Sequence, residues 1–290
     1  MKLLKFLIPV IILLMTAIII TSPISSCNKK VLIHDTTTVH DTTIVKDTVT
    51  IIDTVGCCNI NSDMIAYYTF TGGSLKDSSG NHNDIIFNNA AMTTDRFGNA
   101  NGAYLFDGST SYMRVTNSAT LSPAHAITIM AIVKANGFYQ GQCHGNQILG
   151  KGYPDYATGW YAMRYTDPTT DCNVAPNPAA EQFGGVYGDN NPQGTAVGAG
   201  PDSVHVQTGK WYTLIFTYDG AVANFYINGV LKDSRTKTVT FTANSNDLLI
   251  GKHEDPPFPY WFNGVIDEIR IYNKALCSTA VQKLSGVSGY

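Results

Sequence analysis

The stretch Lys210–Asp233, KWYTLIFTYDGAVANFYINGVLKD, decides the fold. Runs of aromatic and β-branched residues are broken first by Asp219-Gly220 and then by Asn228-Gly229. Both dipeptides tolerate the left-handed backbone that tight turns between antiparallel strands require. A hairpin is therefore expected, with Trp211, Tyr212, Phe216 and Phe225 on its strands and in a core. Outward from it the pattern repeats: MIAYYTF, AYLFDG, YMRVTN, AITIMAIVKA, GWYAMRY, DLLIGK and GVIDEIRIY are short runs separated by Gly, Asn, Asp and Ser clusters. Many short strands with turn signals between them predict an all-β, two-sheet antiparallel sandwich over residues 61–290. Only NKALCSTAVQKL, near the end, reads as helix, and Phe138–Gly209 reads as long loops around two or three strands.

Composition agrees. Charged residues are 14% of the chain and the formal net charge is −3, so the clustered basic excess that nucleic-acid binding needs is missing. The three glutamates, Glu181, Glu254 and Glu268, are too few for long amphipathic helices.

The first residues have another purpose. Lys2 and Lys5 precede an apolar run from Phe6 to Ile20, shorter than the roughly 20 residues a membrane-spanning helix needs. A basic start, an apolar stretch and small residues describe a secretory signal over residues 1–26. Ile24-Ser25-Ser26-Cys27 resembles the lipobox of bacterial lipoproteins, in which the cysteine becomes the lipidated first residue. This resemblance implies a membrane anchor at Cys27. Asn28, in place of an inner-membrane retention aspartate, favours the outer membrane or cell surface. Residues 27–60 carry Asp35, Asp41, Asp47 and Asp53 at a period of six, each followed by threonine, and read as an extended tether. Their β-branched richness would alternatively let several copies pair side by side. In an oxidising compartment Cys143 and Cys172 form a plausible disulfide, and Cys57 or Cys58 could reach Cys277.

Asp267 is the discordant residue. Simple alternation along GVIDEIRIY sets Val265, Asp267, Ile269 and Ile271 on one face, and a carboxylate among aliphatic residues must be paired, protonated or metal-bound. Glu268 and Arg270 share the opposite face and are expected to form an ion pair.

Taken in order, MIAYYTFTGGSLKDSSGNHND, AYLFDGSTSYMRV, KWYTLIFTYDGAVANFYINGVLKD and LLIGKHEDPPFPYWFNGVIDEIRIYNKALCSTAVQKL resemble the laminin G-like, concanavalin A-like jelly-roll family. The resemblance spans roughly residues 61 to 286. It implies two sheets of six or seven strands with the first and last strands adjacent. It also implies a structural calcium held by Asp267 and Asp77, with Asn81 and the backbone of Gly80 assisting. The alternative for Asp267 is hydrogen bonds from backbone amides or from Lys or Arg.

The same sandwich hosts glycosidases, whose laminarinase-type members carry E-x-D-x-E on one strand. No such string occurs here, and Glu254-Asp255 lies in a proline-rich rim, so no enzyme activity is expected. Binding is the better expectation. Trp261, Tyr260, Trp160, Tyr156 and Tyr187, with Asp189 and Asn190, combine aromatic faces and polar groups in glycine-rich loops, a composition suited to carbohydrate. A cell-surface protein is the alternative partner. Trp160, Tyr260 and Trp261 have equally simple readings as core or edge cover.

Overall fold

The computed structural model describes residues 59–286 except 144, 153–158, 168–173, 175–176, 190–195 and 201–203, together with the backbone of 33–39 and 42–48. The signal segment and Cys27 lie outside the described residues, as do Cys57, Cys58, Tyr156, Cys172 and Asn190.

Within the tether, β1 (Ile33–Val39) and β2 (Thr42–Thr48) pair antiparallel from Ile33↔Thr48 to Val39↔Thr42. Over these residues the segment is a hairpin and not a single extended strand. β-branched residues favour strand pairing.

The head comprises β3 (Met64–Tyr68), β4 (Ile85–Asn88), β5 (Ala91–Thr93), β6 (Ala103–Asp107), β7 (Met113–Val115) and β8 (Ile127–Ala135). β9 (Asn146–Lys151), β10 (Trp160–Thr166), β11 (Gln182–Gly188) and β12 (Ala196–Ala199) follow. Next come β13 (Trp211–Tyr218), β14 (Val222–Ile227), β15 (Val230–Thr236), β16 (Leu248–Ile250), β17 (Asn263–Tyr272) and helix α1 (Ser278–Leu284). One sheet has seven strands, in the order β12-β11-β10-β9-β16-β7-β4. The other has eight, in the order β15-β14-β13-β8-β17-β6-β5, with β3 also paired to β17. All pairings are antiparallel, and the first and last strands of the head are neighbours. The fold is a jelly-roll sandwich.

The deciding hairpin forms as its sequence dictates. Asp219 Oδ1 accepts from the amides of Ala221 (2.9 Å) and Val222 (2.7 Å), closing the β13–β14 turn. Asn228 (φ 51°) and Gly229 (φ 79°) are both left-handed, as a two-residue turn between β14 and β15 needs. Tyr212, Phe216 and Phe225 are buried in the main core between the sheets. Trp211 instead packs, partly buried, on a second cluster beneath α1, with Met130, Ile132, Ile215 and Val281. Gly185 points inward: a Cβ there would lie 2.6 Å from the Phe216 ring, so only glycine lets the sheets approach this closely.

Asp267 does not follow simple alternation. The ladder between β17 and β8 shifts register between Ile266 and Glu268, leaving Asp267 as the extra residue of a bulge. Ile266, Ile269 and Ile271 enter the core; Val265 does not join that cluster. Glu268 Oε1 accepts from Arg270 Nε at 2.6 Å, as two residues on one face should. Cys143 and Cys277 are each disulfide-bonded. The pairing expected with Cys172 involves a residue outside the described set.

Candidate functional site

The bulge turns Asp267 toward the loop before β6. Its Oδ2 accepts from Arg96 Nη1 at 2.7 Å and from the Arg96 amide at 3.2 Å. Arg96 Nη2 also reaches Glu268 Oε2 at 3.4 Å. Burial holds the Asp267 carboxyl above its ordinary value, while Arg96 draws it down. Asp77 is equally occupied. Oδ1 accepts from the amides of Tyr67 and Ser79, and Oδ2 from Ser79 Oγ and the Asn83 amide, all at 2.8–2.9 Å. Asn81 turns its amide nitrogen to the Met64 carbonyl (2.8 Å), and Gly80 supplies the left-handed bend (φ 91°). These groups do not fit a calcium site. Asp77 is saturated by donors, and a guanidinium occupies Asp267.

The aromatic residues divide sharply by burial. Tyr187 is an interior residue: its hydroxyl donates to the Pro123 carbonyl at 2.5 Å and its ring stacks on Phe241, with centroids 4.8 Å apart. Asp189 is a latch, accepting from the amide (3.1 Å) and hydroxyl (2.9 Å) of Thr242. Trp160 is 3% exposed. Tyr260, at φ 42°, lies on Gly145, and its ring is 5.0 Å from that of His253. Trp261 remains partly exposed, and it has company that the sequence did not suggest. Its ring centroid is 6.1 Å from that of Tyr112, which is 4.7 Å from that of Phe87. Lys252 Nζ stands over both Trp261 (5.0 Å) and Tyr112 (5.1 Å). Phe87 is on β4, Tyr112 immediately precedes β7, and Lys252 and Trp261 flank the proline-rich turn between β16 and β17. The three rings form a platform at the β4 edge of the seven-stranded sheet, capped by one cation.

The outer face of this sheet continues away from the platform. Inward-facing Tyr161, Met163, Tyr165 and Phe183 alternate with outward-facing Trp160, Ala162, Arg164 and Gly184. Arg164 is flanked in register by Gln147 on β9 and Gly184 on β11. It lies close enough to Tyr260 and His253 for electrostatic interaction. Burial, then the Arg164 guanidinium, lowers the His253 imidazole to about 4. Between β10, β11 and β12 a trough of ≈ 280 Å³ is lined by Arg164, Thr166, Gln182, Gly184, Gly198 and Gly200. Sequence reading missed it; the glycines of FGGVYG and VGAG are the one trace it leaves in the sequence.

Glu181, raised to about 8 by burial and by neighbouring Asp167, is 0% exposed, and Asp167 is 2% exposed. Glu254 Oε1 is held by Asn246 at 2.7 Å.

Residues 107–282, more than half the sequence, match the profile of the concanavalin A-like lectin/glucanases superfamily. The chain belongs to this superfamily. No curated protein matches the chain in sequence. Among solved structures, domain 4 of AbnA, a GH43 extracellular arabinanase from Geobacillus stearothermophilus, in complex with arabinotriose, is 23% identical with a TM-score of 0.52. The match covers 77% of this chain and 98% of that one. The binding domain of botulinum neurotoxin DC, in complex with SialylT, is 13% identical with a TM-score of 0.57, over 80% of this chain and 53% of that one. The binding domain of Paraclostridial Mosquitocidal Protein 1 is 12% identical with a TM-score of 0.56, over 78% and 52%. The chain thus spans about half the length of the two toxin domains. At these identities the likeness is one of fold, and the concanavalin A-like sandwich is what all four share.

Proposed function

We propose that this protein is a non-catalytic carbohydrate-binding lipoprotein, tethered through Cys27 to the outer membrane or cell surface, whose head holds sugar on the platform of Phe87, Tyr112 and Trp261. The observation that carries this reading is the platform itself. Three exposed or partly exposed rings adjoin at a sheet edge, Phe87 and Tyr112 tilted by 33° and Tyr112 and Trp261 by 57°, with Lys252 above two of them. Sugar rings present apolar C–H faces to aromatic surfaces, and their hydroxyls accept from a cation held over two of those rings. Binding groups at a loop edge on a stiff scaffold lose little freedom when ligand docks. Superfamily membership supports the reading, as do the saccharides bound by two of the structural relatives. Affinity electrophoresis of the chain through gels containing a panel of plant and microbial polysaccharides tests it. Retardation by at least one polymer, lost in Trp261→Ala, is expected; free migration in every gel would remove the support.

A second reading, docking of a cell-surface protein, is favoured by the exposed apolar side chains Met92 (55%), Phe97 (72%) and Leu105 (37%) at and beside the β5–β6 edge. Replacing Met92 and Phe97 by serine separates the two: it should abolish cell attachment under this reading and leave polysaccharide retardation unchanged.

A further inference from the structure

Arg164 is the unusual residue of the outer face. Its guanidinium is half-buried, yet makes no hydrogen bond or ion pair with any other described residue. Arginine stays charged at any ordinary pH, and the donors of this one keep access to solvent with no acceptor from the described residues set against them. Arg96 and Arg270 in the same chain are paired with carboxylates, whereas no acid among the described residues is set against this one. Gln147, the register neighbour of Arg164 on β9, is 1% exposed and its Oε1 has no hydrogen-bond partner. The indole nitrogen of Trp160, on the same face and 3% exposed, also has none.

Of these three residues, Arg164 lines an open space. A Cβ on Gly184 would meet only the Ala199 carbonyl, at 3.8 Å, and one on Gly198 would touch nothing nearer than 3.5 Å. Side chains at 184 and 198 would therefore fill the trough that glycine leaves open beside Arg164. Among the described residues, Asp233 at the far end is committed elsewhere: its Oδ2 accepts from the Gly200 amide at 2.9 Å and from Arg235 Nε at 3.0 Å.

We infer that the trough is an anion subsite, in which Arg164 receives an acidic substituent, carboxylate or sulfate, carried by a sugar residue of the bound polysaccharide. The inference rests on the carbohydrate reading and extends it. Trough and platform belong to the same seven-stranded sheet, the trough across β10 to β12 and the rings at β7 and β4, with β9 and β16 between them. An extended chain stacked on Trp261 and Tyr112 can lay a charged residue against the guanidinium, where a planar fork of donors matches either oxyanion.

Affinity electrophoresis of the full-length chain in gels of polygalacturonate, its fully methyl-esterified form and dextran sulfate is the test. Retardation by polygalacturonate or by dextran sulfate is expected, and identifies the oxyanion. In Arg164→Gln that retardation should fall at least tenfold, without loss of thermal midpoint because no protein partner is orphaned. Gly184→Val should lose it as well, by occupying the trough with the charge intact. Equal retardation by the esterified polymer, or acidic retardation untouched in Arg164→Gln, overturns the subsite while leaving the platform reading standing. A fall of several degrees in the Arg164→Gln midpoint would show the guanidinium to be a structural partner and also overturn the subsite. If no polymer of any charge retards the chain, both readings fail.

Discussion

Asp267 and Arg96 are 171 residues apart in the chain and joined twice, through guanidinium Nη1 at 2.7 Å and through the main-chain amide at 3.2 Å. The contact fastens the loop before β6 to the bulge in β17. The Asp267 side chain is 6% exposed and that of Arg96 26%, so the pair is sheltered but not dry. Arg96→Ala should destabilise the head by about 1–3 kcal/mol at pH 7, reduced from the value for a fully buried pair by that exposure. Burial already holds the Asp267 carboxyl above its ordinary value. A raised native-state value means stability that is complete at low pH and lost as pH rises through it. Without Arg96 the value rises further, so the Arg96→Ala deficit should shrink as pH falls toward 5. Urea melts at pH 5 and 7 measure it; a deficit that grows on acidification contradicts the assignment.

Calcium removal should leave the thermal midpoint unchanged, because the Asp77 oxygens are filled by four donors and Asp267 by Arg96. Asp77→Ala, by contrast, orphans three amides, those of Tyr67, Ser79 and Asn83, and should cost about 2–3 kcal/mol. A midpoint several degrees lower in excess chelator would restore a structural ion.

Glu181 governs a pH dependence. Burial and Asp167 raise it to about 8, so the native state keeps a proton that the unfolded chain has released. That contribution is complete below the unfolded carboxyl range and is lost as pH rises toward 8, at up to about 1.4 kcal/mol per pH unit. Glu181→Gln retains the acceptor facing Asn146 and should flatten this slope, with the largest gain over wild type near pH 8. Parallel slopes for the two proteins between pH 5 and 8 would refute the shift.

Neighbouring glycines should behave oppositely. Gly185→Ala drives a Cβ to 2.6 Å from Phe216 in the core and should cost about 1–3 kcal/mol. Gly184→Ala points into the trough and should stay within about 0.5 kcal/mol of wild type. Denaturant midpoints decide it; similar costs at both positions would mean that the strand is turned over.

The strands were legible because alternation and turn chemistry are local: Asn228-Gly229 specifies its turn within two residues. The site was not, because its members meet only across the sheet. Phe87, Tyr112 and Lys252 have no sequence feature that joins them to Trp261, and Arg96 carries no mark of Asp267. Asp267 could be read as needing a cationic partner, but a one-residue bulge and a distant arginine look the same in sequence as a metal ligand. Trp160 and Tyr187 stand in glycine-rich surroundings that resemble binding loops, yet both side chains are buried.

The carbohydrate reading is tested most directly by the two tryptophans on the seven-stranded sheet face. Trp261→Ala should reduce polysaccharide retardation about tenfold, the loss of one stacking ring, with the thermal midpoint nearly unchanged because the side chain is partly exposed. Trp160→Ala, at a position 3% exposed, should cost about 3 kcal/mol or more of stability. Undiminished retardation in Trp261→Ala, measured against a polymer that the wild-type chain binds, would contradict the platform.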